Sequence, residues 1–154
     1  MDKGNHDLKE TIPIYGFPEN RNYYIYDFKK TRIIVLDNTE IYDDYYGGFK
    51  NEQLEWLRQN LNVRKNIIIV MHVPVFAREE QGGMFMQRYE TFENLIRQSR
   101  NVKLVLAGHF HKSWKKNYKG ITYEGLTGLT IRNNKGWYGI INTKDYSAAY
   151  KQIE

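Results

Sequence analysis

Leu104-Val105-Leu106-Ala107-Gly108-His109-Phe110-His111 is an apolar run that stops at a glycine and a pair of histidines. Ile67-Ile68-Ile69-Val70-Met71-His72-Val73-Pro74 is a second run of the same kind, ended by one histidine and a proline. A short continuous run of branched apolar residues reads as a strand buried on both faces. The end of such a strand fixes a side chain on the rim of a sheet, where the sites of α/β proteins lie. The remaining histidine, His6, stands in Gly4-Asn5-His6-Asp7, so three short motifs hold all four histidines of the chain. None is left over for a purely structural role.

The elements around these two strands predict a layered α/β fold. Residues 1–20 read as loop, because Pro13 and Pro18 break any helix. Asn22–Phe28 alternates, turns at Lys29-Lys30, and pairs with Thr31–Asp37, which reads as buried on both faces. Tyr42–Phe49 is a loop of Tyr, Asp and Gly. Asn51–Leu61 is a helix, with Asn51 as its cap and Leu54, Leu57 and Leu61 at helical spacing. Asn66–His72 is the strand quoted above, and Val75–Gly83 is a loop. Met84–Ser99 is a second helix, with Phe85, Tyr89, Phe92 and Ile96 on one stripe. After the strand Val102–Ala107, four short segments read as an antiparallel run: Trp114–Tyr118, Ile121–Gly125, Gly136–Asn142 and Ala148–Ile153. We read residues 1–154 as a single domain.

Composition narrows the function classes. With 27% charged and 15% aromatic residues the chain is globular rather than disordered. The absence of Cys excludes disulfides, thiolate zinc sites and Cys nucleophiles. No apolar run reaches the roughly 18 residues of a membrane span, so no membrane partner is expected. Met1-Asp2-Lys3 leads directly into a motif with no signal peptide between, and the default reading is cytoplasmic. A net charge of +5 favours a phosphate-bearing or otherwise anionic partner. Only that charge points to nucleic acid, which is therefore not the expected partner. No phosphate-cradling Gly-x-x-x-x-Gly-Lys loop is present.

Each motif has a chemical reading and a plainer one. Gly108 allows a sharp turn after its strand, and His109 and His111, two apart, project to the same side of extended backbone. Two neighbouring imidazoles are good transition-metal ligands, although a His-x-His pair also occurs in ordinary loops. In Asn5-His6-Asp7, the Asn oxygen suits a hard cation, the His suits an acid acting on a leaving group, and the Asp suits the holding of its tautomer. The same four residues make a standard turn. His72 is either a ligand or a satisfied half-buried histidine. Lys112, Lys115 and Lys116 read as a phosphate-attracting patch or a solvated basic turn. Tyr42, Tyr45 and Tyr46 read as a stacking surface or as packing. Asp37 reaches the site from a strand end or caps a turn.

Taken together, the three motifs resemble those of the calcineurin-like metallophosphoesterases in order and in kind. Gly4-Asn5-His6-Asp7 resembles that family's Gly-Asn-His-Asp/Glu motif, His72 its strand-end histidine, and Gly108-His109-x-His111 its Gly-His-x-His. Leu36-Asp37 closing a strand, and Gly48 ahead of Glu52-Gln53-Leu54-Glu55-Trp56-Leu57, are further points of likeness. The resemblance covers roughly residues 3–130 and implies an αββα sandwich. It implies hydrolysis of a phosphate ester, from a small molecule or a nucleotide, by metal-activated water. It also implies that Asn5, His72 and His109 serve one divalent metal and His111 the other. His6 then protonates the leaving oxygen, and Asp7 orients His6. The mixed imidazole and oxygen ligands suit Mn, Fe or Zn.

The sequence departs from that family in one respect. Its Asp-x-His and Gly-Asp-x-x-Asp motifs, which precede the Asn motif and supply the bridging Asp and most of the first metal's ligands, do not occur in these residues. The expectation is a C-terminal portion of the domain, without the first strands and inactive by itself; the alternative is a binding module that keeps the fold without turnover. At most one metal is expected in this chain, because a transition-metal site usually needs three or more protein ligands. Self-association through the surface left by the missing strands is expected as well.

Overall fold

The computed structural model describes residues 22–39, 46–76, 86–87, 89–126 and 137–152. Strands β1 (Tyr24–Phe28) and β2 (Thr31–Val35) form the expected hairpin. Helix α1 (Asn51–Asn60), β3 (Asn66–Met71), α2 (Tyr89–Gln98) and β4 (Val102–Ala107) follow in alternation. β2, β3 and β4 pair in parallel, as strands joined through helices do. Their carboxyl ends therefore share one rim of the sheet.

The last strands differ from a simple antiparallel run. β5 (Trp114–Tyr118) and β6 (Ile121–Gly125) do form a hairpin, closed by Lys119 and Gly120 at φ 49° and 84°. β6, however, lies against β4 and parallel to it, so the six-stranded order is β1-β2-β3-β4-β6-β5. The cause is composition. β6 carries Ile121 and Tyr123 into the core, whereas Lys115, Lys116 and Asn117 of β5 are exposed and suit an edge. β7 (Trp137–Ile141) and β8 (Ala148–Gln152) form a separate two-stranded sheet.

Each face of the six-stranded sheet is covered. On one, Ile34, Ile67, Ile69, Met71, Val105 and Tyr123 pack with Leu57 and Leu61 beside α1 and with Phe92 and Ile96 of α2. On the other, Ile68, Leu104 and Leu106 pack with Leu126, Ile141 and Tyr146. Alternate residues of β3 and β4 thus serve opposite cores, which is why these strands are apolar apart from Asn66 and Lys103. The second sheet is also held by Glu124 on β6, a buried carboxylate that accepts from the Tyr150 hydroxyl at 2.8 Å and pairs with the Lys115 ammonium at 2.5 Å. No helix among the described residues is long and apolar enough to cross a membrane.

Several expected boundaries move, two of them for reasons visible in the fold. α1 is preceded by Lys50 as its cap residue, with no side-chain capping bond, and Asn51 is the first helical residue. α2 begins at Tyr89 rather than Met84. Met86 is fully buried, its N–H donates to the Pro74 carbonyl, and it forms a parallel bridge with Gly47. Backbone committed to a bridge is lost to the helix. The stripe Tyr89, Phe92 and Ile96 is kept, while Phe85 lies outside the described residues.

Candidate metal centre

His72 is the first residue beyond β3, and His109 the second beyond β4. Because β3 and β4 are parallel neighbours, both histidines emerge on the same rim. His72 Nε2 lies 3.3 Å from His109 Nδ1, with ring centroids 5.2 Å apart and the planes nearly perpendicular at 81°. Both residues are half-buried. Without a metal, such a contact needs one nitrogen protonated and the other accepting. Two nitrogens bound at about 2.0–2.1 Å to one tetrahedral metal stand about 3.3–3.4 Å apart, so the donor pair fits a shared ion.

The glycine and histidines of the second motif divide the work differently from the sequence expectation. The left-handed backbone falls on His109 (φ 68°) and His111 (φ 51°), not on Gly108. Gly108 ties the end of β4 to that of β3. Its N–H donates to the His72 carbonyl at 3.0 Å, and a Cβ there would stand 3.4 Å from His72 Nδ1. Since neither histidine is extended, the same-side argument for a His-x-His pair does not hold. His111 is exposed, whereas Phe110 between the two is buried. Among the described residues, no three His, Cys, Asp or Glu side chains converge to hold a metal. Asn5, His6 and Asp7 lie outside the described residues.

A family model described as calcineurin-like phosphoesterase matches residues 3–113. The chain belongs to the calcineurin-like phosphoesterases. It is 28% identical over 125 residues to a probable cyclic nucleotide phosphodiesterase of Rhodococcus erythropolis, a match covering 77% of this chain and 41% of that protein. It is 33% identical over 72 residues to a manganese-dependent ADP-ribose/CDP-alcohol diphosphatase of Oryza sativa subsp. japonica, covering 44% of this chain and 22% of that one. Its fold is similar to that of a dimetal phosphatase from Danio rerio, with a TM-score of 0.59, 18% identity, and coverage of 70% of this chain and 49% of the other. At that identity the likeness concerns the fold alone. The matched stretch spans less than half the length of each of these three proteins.

Among the weaker candidates, Asp37, Lys115 and Lys116 have partners within the fold. Asp37 caps a turn: its Oδ1 accepts from the Thr39 N–H and hydroxyl, and its Oδ2 from Asn22. Lys115 is engaged by Glu124, and Lys116 sits 4.1 Å above the Phe76 ring. Lys112 is exposed. Tyr46 is 38% exposed, and Tyr42 and Tyr45 lie outside the described residues.

Sequence reasoning missed Asn38, which is fully buried. Its Oδ1 accepts from the His72 N–H at 3.2 Å and the Val73 N–H at 3.0 Å, and its Nδ2 donates to the Val73 carbonyl at 2.7 Å. Gln53 of α1 was missed as well. It grips both the N–H and the carbonyl of Asp37, at 2.9 and 2.6 Å. The available signal was the position of Asn38 just past an apolar run, on the rim shared by the histidine strands. Its partners lie 34 and 35 residues away, beyond any local pattern.

Proposed function

We propose that this chain carries part of a two-metal phosphoesterase site, and that the whole site hydrolyses phosphomonoesters or phosphodiesters. The observation that carries the reading is the meeting of His72 and His109 across two parallel strand ends at 3.3 Å, in a chain of this family. Asn5, His72 and His109 are assigned to one metal and His111 to the other. His6 is assigned as the acid that protonates the leaving oxygen, and Asp7 as the group that orients it. Paired divalent metals, when bound, clamp a phosphate and lower the pKa of the attacking water. The residues of this chain hold and orient. The β3 and β4 ends fix two imidazoles, the Gly108 N–H bonds to the His72 carbonyl, and the buried Phe110 anchors the loop between His109 and His111. The relatives' names, a cyclic nucleotide phosphodiesterase and an ADP-ribose/CDP-alcohol diphosphatase, support a nucleotide or similar small phosphate ester as substrate.

The metal is assigned as Mn, Fe or Zn on ligand chemistry. For these 154 residues alone, the ligand count supports at most one metal and no turnover, because Asp-x-His and Gly-Asp-x-x-Asp do not occur in them. The same observation favours, for the chain by itself, the second reading of a module that keeps the fold without catalysis. The test is hydrolysis of p-nitrophenyl phosphate and bis-p-nitrophenyl phosphate by the full-length protein with added Mn. Undiminished turnover by His109→Ala and His6→Ala variants overturns the assignments. Metal analysis of the 154-residue chain finding two tightly held ions per chain overturns the ligand count.

A further inference from the structure

We propose that Asn38 is the positioning residue of the candidate centre, and that its side chain, acting through the backbone of His72 and Val73, sets where the His72 ring meets His109. The inference rests on the assignment of His72 and His109 to one metal, but its first readout does not. Sheet pairing gives out as the chain reaches His72. On the β2 side the ladder ends at Val35 opposite Val70, and the last bond is from the Leu36 N–H to the Val70 carbonyl. Among the described residues, no strand lies beside the next backbone groups there, the His72 N–H, the Val73 N–H and the Val73 carbonyl. Asn38 stands in for one, with a single amide satisfying all three. On the β4 side the His72 carbonyl accepts from the Gly108 N–H, which belongs to the loop that carries His109. The His72 peptide is therefore held from both sides: by Asn38 against β2, and by Gly108 against its partner imidazole. Asn38 is itself fixed. Its carbonyl accepts from the Gly48 N–H at 2.8 Å, and its Nδ2 lies 3.7 Å from the Met86 sulfur.

Groups that orient a metal ligand typically change metal affinity by about 10–100-fold when removed. A merely structural Asn38 would change it no more than an equally destabilising substitution elsewhere. Leu57→Ala, in the α1 core and away from the rim, supplies that comparison. The first readout is the nuclear Overhauser contact between the His72 and His109 rings in the metal-free full-length protein, labelled at histidine. The second is Co2+ affinity, followed by visible absorption. Asn38→Ala is expected to lose the ring contact and to weaken Co2+ binding by about 10-fold or more, whereas Leu57→Ala keeps both within about twofold. Asn38→Ser, which removes the amide but leaves a small neutral hydroxyl, is expected to weaken the ring contact and Co2+ binding in the same direction and to serve where Asn38→Ala does not fold. A ring contact in wild type without Co2+ binding would overturn the metal assignment and leave the positioning role supported. Wild-type contact and affinity in the folded Asn38 variant, or equal losses in Leu57→Ala, would overturn the role of Asn38.

Discussion

Gly47→Ala should damage the candidate centre from a residue that carries no chemistry. A Cβ at Gly47 would lie 2.5 Å from Val73 Cβ and 2.9 Å from the Asn38 carbonyl oxygen. Carbon–carbon contact begins near 3.5–4.0 Å, so the first approach is short by about 1 Å. Neither neighbour is the free end of a long side chain. Val73 Cβ sits on the backbone that Asn38 holds, and the Asn38 carbonyl is backbone itself. The strain therefore passes into the His72–Val73 peptide. Overpacking of this kind costs about 1–3 kcal/mol. At about 2–4 °C per kcal/mol for a chain of this size, a cost near 2 kcal/mol lowers the melting temperature by about 4–8 °C. A displacement of about 1 Å at a site can cost about 100-fold in rate, a much larger effect than the loss of stability would suggest. The assays are thermal unfolding by circular dichroism and turnover of bis-p-nitrophenyl phosphate, both on the full-length protein. Gly120→Ala is the control, since Gly120 has φ +84° with open space around it. Its alanine is strained by about 1–2 kcal/mol, so it should melt lower yet keep its turnover per folded molecule. A Gly47→Ala variant that melts within 1 °C of wild type and turns over normally would refute the reasoning.

Gly125→Ala is expected to destabilise by about 1–3 kcal/mol, because its Cβ would fall 1.8 Å from Trp114 Nε1 across the β5–β6 pair. In a Trp114→Ala background the same change should cost less than about 0.5 kcal/mol, and strictly additive denaturant midpoints would exclude the clash as its cause. Glu93 is buried and accepts a hydrogen bond from the Tyr123 hydroxyl, and burial raises its pKa, against the opposing pull of Tyr123, Arg97, Lys119 and Lys116. A raised carboxyl pKa gives stability that is full below the ordinary value of 4.5 and is lost as the pH climbs through the folded value. Urea melts of Glu93→Gln should therefore gain on wild type as the pH rises above that point, and a difference independent of pH would contradict the assignment. Tyr26 and Phe28 on the edge strand β1 are 57% and 46% exposed. On that basis sedimentation of the 154-residue chain is expected to show self-association, and a stable monodisperse monomer would count against it.

The parts of the fold legible in the sequence are those set by local periodicity. β3 after Asn66, and β4 apart from Lys103, are apolar because both of their faces are buried, and Leu54 and Leu57 of α1 with Leu61 just beyond it keep helical spacing because one face is. Strand order is not local. The β5–β6 hairpin is readable from its turn, yet its docking by β6 rather than β5 depends on which strand carries apolar residues to the core. That contrast was present in Lys115-Lys116-Asn117 against Ile121 and Tyr123. α2 starts later than the periodicity predicts because Met86, inside the expected helix, is drawn into a bridge with Gly47 from a distant segment.

The site was legible in the same unequal way. The pairing of His72 with His109 follows from two facts readable in sequence: both end buried strands, and strands joined through a helix lie parallel. What holds the pair in register is not readable, because Asn38 is a polar residue whose three bonds all reach across the fold. The backbone shows where order is being imposed. Histidine in the left-handed region costs roughly 1–2 kcal/mol, and the loop adopts it at both His109 and His111. Such strain persists only where surrounding contacts over-determine it. Here the contacts are the buried Phe110 between the two histidines, the Gly108 bond to His72, and the grip of Asn38 on the far side of that same peptide. A strained loop and a clamped strand end thus meet where the His72 and His109 ring nitrogens come within 3.3 Å.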